Sequence, residues 1–172
     1  MPNRNQGFTL VELLITLSVL AVITAIAVPA MTNLINSIGQ QTQVNQLLAD
    51  LNFARSQAIT SRRTVSLCAG ETSCNGLARW KSQIIVFEDL DANGALDEHE
   101  QPLRISTITA NHAWKWGNFR NRRYMSFKPN GTTHSLNGTF TLCRDNEALK
   151  AVVINITGRT RLRSPTKDDR CT

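Results

Sequence analysis

The chain has 172 residues, 41% of them hydrophobic and 19% charged, which leaves room for one globular domain of ordinary composition outside its N-terminal stretch. Its formal charge of +6 favours anionic partners such as nucleic acid or lipid headgroups. His99, His112 and His134 are scattered and no Gly-rich phosphate loop follows a strand, so the sequence carries no recognisable catalytic pattern and no enzyme is expected.

The first seven residues, MPNRNQG, are polar, with Arg4 their only charge. From Phe8 to Met31 every residue is apolar or small and uncharged except Glu12. At about 1.5 Å per residue this run spans a hydrocarbon core of roughly 30 Å. A secretory signal would have a shorter apolar core and a small-residue cleavage site; here the polar leader abuts the apolar run directly. A carboxylate near the end of a membrane segment is costly without a partner, which marks Glu12 as a candidate functional residue over a tolerated terminal Glu in a plain anchor. Pro29 removes one helical hydrogen bond inside the span.

Beyond the membrane segment the helix is expected to continue. Val44, Leu47, Leu48, Leu51, Ala54 and Ala58 recur at helical spacing, which predicts an amphipathic half over 32–62 with Asp50 and Arg55 on the solvent face. Gly39 is a weak point between the halves, and the helix should end near Ser61–Arg63. Residues 63–172 then read as short strands at Thr64–Cys68, Gln83–Phe87, Leu103–Thr107, Tyr124–Phe127, Thr139–Cys143 and Leu149–Thr157. Turn signals lie at Asn75-Gly76, Asn93-Gly94, Asn130-Gly131 and Asn137-Gly138. A long helix followed by an antiparallel β head predicts an α+β fold.

Four cysteines, Cys68, Cys74, Cys143 and Cys171, contain no C-x-x-C pair, which favours two disulfides over zinc and implies an oxidising compartment. Three pairings are possible. We favour Cys68 with Cys74 and Cys143 with Cys171, which would staple the C-terminal tail to a strand. Asp89, Asp91, Asn93 and Glu100 match the spacing of an EF-hand calcium loop, with Leu96 at the apolar position. The preceding run is strand-like instead of helical, so an acidic hairpin turn competes with calcium, the one cofactor the sequence suggests. Asn130, Asn137 and Asn155 begin glycosylation-like triplets that read better as turn or strand residues.

Two basic clusters stand out. Gly158-Arg159-Thr160-Arg161-Leu162-Arg163 is followed by Lys167 and Arg170. In an extended strand Arg159, Arg161 and Arg163 share a face, which suits a row of phosphate contacts or a solvated basic edge that resists aggregation. Trp114-Lys115-Trp116 with Arg120, Arg122, Arg123 and Tyr124 interleaves aromatics with cations, as nucleic-acid surfaces often do; equally, both tryptophans suit core or rim places beside an exposed loop.

The junction Gly7-Phe8-Thr9-Leu10-Val11-Glu12 ahead of an apolar helix resembles the prepilin motif of type IV pilins and type II secretion pseudopilins. The resemblance implies cleavage of residues 1–7 by a prepilin peptidase after Gly7 and methylation of the new amine on Phe8. It also implies that residues 8–31 anchor the chain in the inner membrane as a single pass with a periplasmic head. On assembly they would pack among other pilin subunits in a filament or its tip, with Glu12 meeting a neighbour's amine. The order of head segments, from Arg55-Ser-Gln-Ala58 through Trp80, Ile85–Asp89 and Phe127–Thr132 to Val152–Arg159, resembles the GspH/FimT branch of that family. Within it the roles are type II secretion pseudopilin, FimU-like priming subunit and FimT-like minor pilin of natural transformation. The G-R-x-R run resembles the FimT motif and implies nonspecific capture of double-stranded DNA.

Overall fold

The computed structural model describes residues 9–171; Gly7 and Phe8, the expected cleavage and methylation positions, lie outside them. Helix α1 runs Leu10–Ser61. The Thr9 hydroxyl accepts a hydrogen bond from the Glu12 N–H at 3.2 Å and caps its start. The apolar part is long and apolar enough to cross a membrane, with mean hydropathy 2.5. Its hydroxyls donate back to their own helix, Thr16 to the Leu13 carbonyl and Thr24 to that of Leu20, so none needs an outside acceptor. A boundary between two compact units falls between Gly39 and Gln40, where the sequence marked a weak point.

In the unit that begins at Gln40, Val44, Leu47, Leu51, Ala54 and Ala58 are buried, as their spacing predicts. Arg62, at φ 56°, turns the chain out of the helix. Nine strands follow: β1 Val65–Ala69, β2 Arg79–Trp80, β3 Gln83–Glu88, β4 Pro102–Thr107, β5 His112–Asn118, β6 Met125–Phe127, β7 Gly138–Arg144, β8 Glu147–Ile154 and β9 Thr160–Arg163. They form two antiparallel sheets, ordered β4-β3-β1-β6 and β2-β5-β7-β8-β9. The six expected strands are present with ends shifted by a few residues. β9 is the extended basic run near the C-terminus, and β2 and β5 were not expected.

Strand β5 decides between the two readings of Trp114 and Trp116. Trp114 and Trp116 are buried, at 1% and 2% exposure, and pack on Phe140, Trp116 stacked with ring centroids 4.2 Å apart. Trp-Lys-Trp is therefore strand alternation pointing two tryptophans into the core, not an exposed stacking surface. Tyr124 is half-buried beside Cys68, Ile85 and Phe87. It also lies against Gly94, where a Cβ would sit 2.2 Å from its ring.

One correction concerns the helix. Asp50, expected on the solvent face, is fully buried. Its Oδ1 accepts from Ser106 Oγ at 2.8 Å and Gln46 Nε2 at 3.1 Å, and pairs with Arg104 Nε at 3.0 Å. Gln43 Nε2 donates to Thr109 Oγ1 at 2.7 Å. These bonds form a polar seam that sets the helix against β4 and the turn after it. Arg55 also turns inward, donating from Nε to the Gly131 carbonyl at 2.9 Å.

The disulfides are Cys68–Cys74 and Cys143–Cys171, the favoured pairing. Cys143 lies opposite Ala113 on the face of the second sheet away from Trp114 and Phe140. The second disulfide therefore carries the C-terminal tail back across that outer face.

Candidate nucleic-acid interface

The turn between β8 and β9 is built by Asn155. Its Oδ1 accepts from the Arg159 N–H at 2.9 Å and from Thr157 Oγ1 at 2.8 Å, while its own N–H donates to the Arg159 carbonyl at 3.1 Å. Gly158 sits at φ 78°, and a Cβ there would lie 2.4 Å from the Gly131 carbonyl oxygen, the atom that accepts from Arg55. Only glycine fits this packed left-handed position. Arg55, Gly131 and Gly158 thus fix the place where the arginine run begins.

Strand β9 pairs with β8 alone and is an edge of its sheet. Thr160 lies opposite Ile154 and Leu162 opposite Val152, on the core face, while Arg161 and Arg163 lie opposite Val153 and Ala151 on the outer face. Arg159 precedes the strand, in the turn. Arg159 and Arg161 are exposed and line one cleft with Val153, Asn155 and Thr160. No carboxylate pairs with either among the described residues.

Arg163 departs from the expected row. It grips Asp169 through two bonds, NH1 to Oδ2 at 2.5 Å and NH2 to Oδ1 at 2.9 Å. The Thr166 N–H and hydroxyl also donate to Asp169 Oδ2, at 2.6 and 3.0 Å. The Arg163 hydrogen bond holds the Asp169 carboxyl below its usual pKa, although burial opposes the shift. The tail carried back by Cys143–Cys171 supplies the acid, so Arg163 is occupied. Lys115 and Arg170 share a cleft with Arg163, Asp168 and Asp169, and Lys167 is exposed on the same tail. These four cations of the expected set lie in mixed-charge surroundings.

The other five converge. Asn118 pairs with Gly138, Gly138 with Ile154, and Ile154 with Thr160, so the end of β5 and the start of β9 lie at the same end of the second sheet. The loop after β5 carries Arg120, Arg122 and Arg123, and the turn before β9 carries Arg159. Three strand spacings separate them, about 14 Å. All five arginines, Arg161 included, are exposed. His134 lies close by. Burial lowers its pKa, and the charges of Lys128 and Arg120 lower it further. Residues far apart in sequence thereby form one cationic end, with spacing on the scale of a few phosphates.

The sequence reading did not single out Phe119, which immediately precedes Arg120 on this loop with 91% of its surface exposed. An aromatic beside three arginines was the available signal, but the two tryptophans drew the attention instead.

At the acidic loop, carboxylate oxygens of Asp89, Asp91 and Glu100 come within 4.8 Å of one another. Asp89 accepts from the N–H groups of Asn93 and Gly94, both at 3.0 Å, and from Ser66 Oγ at 2.5 Å. Glu100 accepts from the N–H of Leu90 at 2.7 Å and of Asp97 at 3.2 Å. Asn93 donates its side-chain amide to Asp91 and Asp97. These bonds hold the three carboxylates together at one end of an acidic hairpin. Burial, with the Glu100 charge adding to it, raises the Asp89 pKa against the opposing hydrogen bonds.

Comparison with known proteins follows this geometry. The family model "Type II transport protein GspH" matches residues 43–158, and the "Prokaryotic N-terminal methylation motif" matches residues 2–28. The type IV minor pilin FimU of Pseudomonas aeruginosa has a similar fold in two crystal forms, at 24% identity. One match has TM-score 0.58 and covers 77% of this chain and 99% of FimU; the other has TM-score 0.59 and covers 77% and 94%. No curated protein sequence matches the chain. With more than half its length matched, the chain belongs to the GspH family and carries that family's fold behind a prokaryotic N-terminal methylation motif.

Proposed function

We propose that this chain is a membrane-anchored minor pilin that binds double-stranded DNA nonspecifically through the cationic end of its second sheet, for uptake in natural transformation. Prepilin processing at Gly7 and Phe8 and packing through the apolar helix, with Glu12 near its start, make it a filament subunit; no catalytic role is proposed. The observation that carries the DNA reading is the convergence of Arg120, Arg122, Arg123, Arg159 and Arg161 at one end of the sheet. Guanidiniums on exposed loops contact phosphates without reading sequence, which suits a machine that accepts any DNA. The second reading is a structural tip subunit or a type II secretion pseudopilin without a DNA role, favoured by the description of the matching family model.

The test is a titration of the full chain in neutral detergent against two unrelated duplexes across salt concentrations. Five phosphate contacts give a slope of log affinity against log salt of about −4.5, equal for both duplexes. Arg159→Gln with Arg161→Gln should flatten the slope by about 1.8 without loss of fold. Absence of duplex binding by the wild type at low salt leaves the structural reading.

A further inference from the structure

Resting on that DNA reading, we propose that Phe119 is a stacking platform that takes the face of an unpaired nucleobase while the surrounding arginines hold the backbone. Phe119 is the most exposed large hydrophobic residue in the head, at 91%, and none of the described residues covers it. Its loop is held in one shape. Asn118 Nδ2 donates to the Arg122 carbonyl at 2.7 Å, the Arg122 N–H donates to Asn118 Oδ1 at 3.0 Å, and the Asn121 N–H donates to the Asn118 carbonyl at 3.1 Å. Asn121, at φ 52°, closes this turn. The ring is thus presented on a braced loop, and little further ordering is needed when a ligand arrives.

The surroundings select the ligand. Arg120, Arg122 and Arg123 follow Phe119 on the same loop, and Arg159 and Arg161 stand about 14 Å away at the same sheet end. A planar apolar surface among several guanidiniums fits a polyanion that also offers flat aromatic faces, which is single-stranded nucleic acid. A stacked duplex shows phosphates to the arginines but conceals its base faces. The same end of the head would then hold duplex by phosphates alone, and grip frayed or unwound strand by phosphates and bases together. An anionic lipid surface satisfies the arginines equally but gives one ring no planar partner.

The experiment compares three probes on the full chain in neutral detergent: an oligodeoxythymidylate, an abasic oligonucleotide of equal length, and a duplex. The wild type should bind the thymidylate about tenfold more tightly than the abasic strand, within the range of one base–aromatic stack. Phe119→Ala should erase that preference, leaving duplex affinity and the salt slope unchanged. Phe119→Trp should restore it. A thymidylate preference that survives in Phe119→Ala overturns the inference, while duplex binding by the arginines stands. If the wild type binds no oligonucleotide, the DNA reading falls and this inference with it. In that case, binding to phosphatidylglycerol vesicles that Phe119→Ala abolishes would reassign the tip to lipid. Because the ring touches nothing that it stabilises, the alanine variant should fold as the wild type does.

Discussion

Asp169→Ala is expected to weaken the fold and strengthen DNA binding at once. Asp169 binds Arg163 through two oxygens, with side-chain exposures of 6% and 27%, and also accepts two bonds from Thr166. Truncation removes a charge-assisted bidentate pair that is partly screened by solvent. The loss should be about 2 kcal/mol, or roughly 8 °C in Tm for a head of this size. The tail stays attached through Cys143–Cys171. The freed Arg163 guanidinium lies two residues along the outer face from Arg161 and becomes available to a phosphate. One added contact steepens the salt slope by about 0.9 and tightens duplex binding by roughly eightfold at 0.1 M salt relative to 1 M. Thermal unfolding and fluorescence anisotropy on the same preparations measure both effects. Arg163→Gln is the control: it should lose similar stability and leave the slope as in the wild type, since Arg163 is already occupied. A fall in Tm with no change of slope in Asp169→Ala would refute the placement of this row against DNA.

Gly158→Ala should cost roughly 2 kcal/mol and weaken duplex binding, because the methyl group meets the Gly131 carbonyl at 2.4 Å in a left-handed turn and displaces Arg159. Wild-type Tm and affinity would show that the turn does not set the arginine. The acid side of the stability profile should depend on Asp89. Burial holds its folded pKa above the ordinary 3.8, so between those two values the native state holds more protons than the unfolded state. Stability from this group therefore rises as pH falls through that window. His134 opposes it, losing stability as pH falls below 6.5. The wild type should accordingly gain Tm relative to Asp89→Asn as pH is lowered from neutral toward 4; parallel profiles would exclude the assignment.

The parts of this protein that the sequence determined alone are those written in short-range periodicity. An uninterrupted apolar run, a helical stripe from Val44 to Ala58 and alternating strands each follow from the spacing of neighbours along one element. The even cysteine set pointed to two disulfides, but the choice among three pairings was made by the fold. Tertiary structure decided the charge. Asp50 looked like a solvent-face residue until Arg104 and Ser106 of β4 closed over it. Arg163 looked free until the disulfide brought Asp169 back to it. Antiparallel register through β5, β7, β8 and β9 placed Arg120–Arg123 at the same sheet end as Arg159, a neighbourhood that no local pattern encodes. Hydrophobic periodicity is a property of one element facing one core. The partner of a charge is set by which distant segment lands next to it.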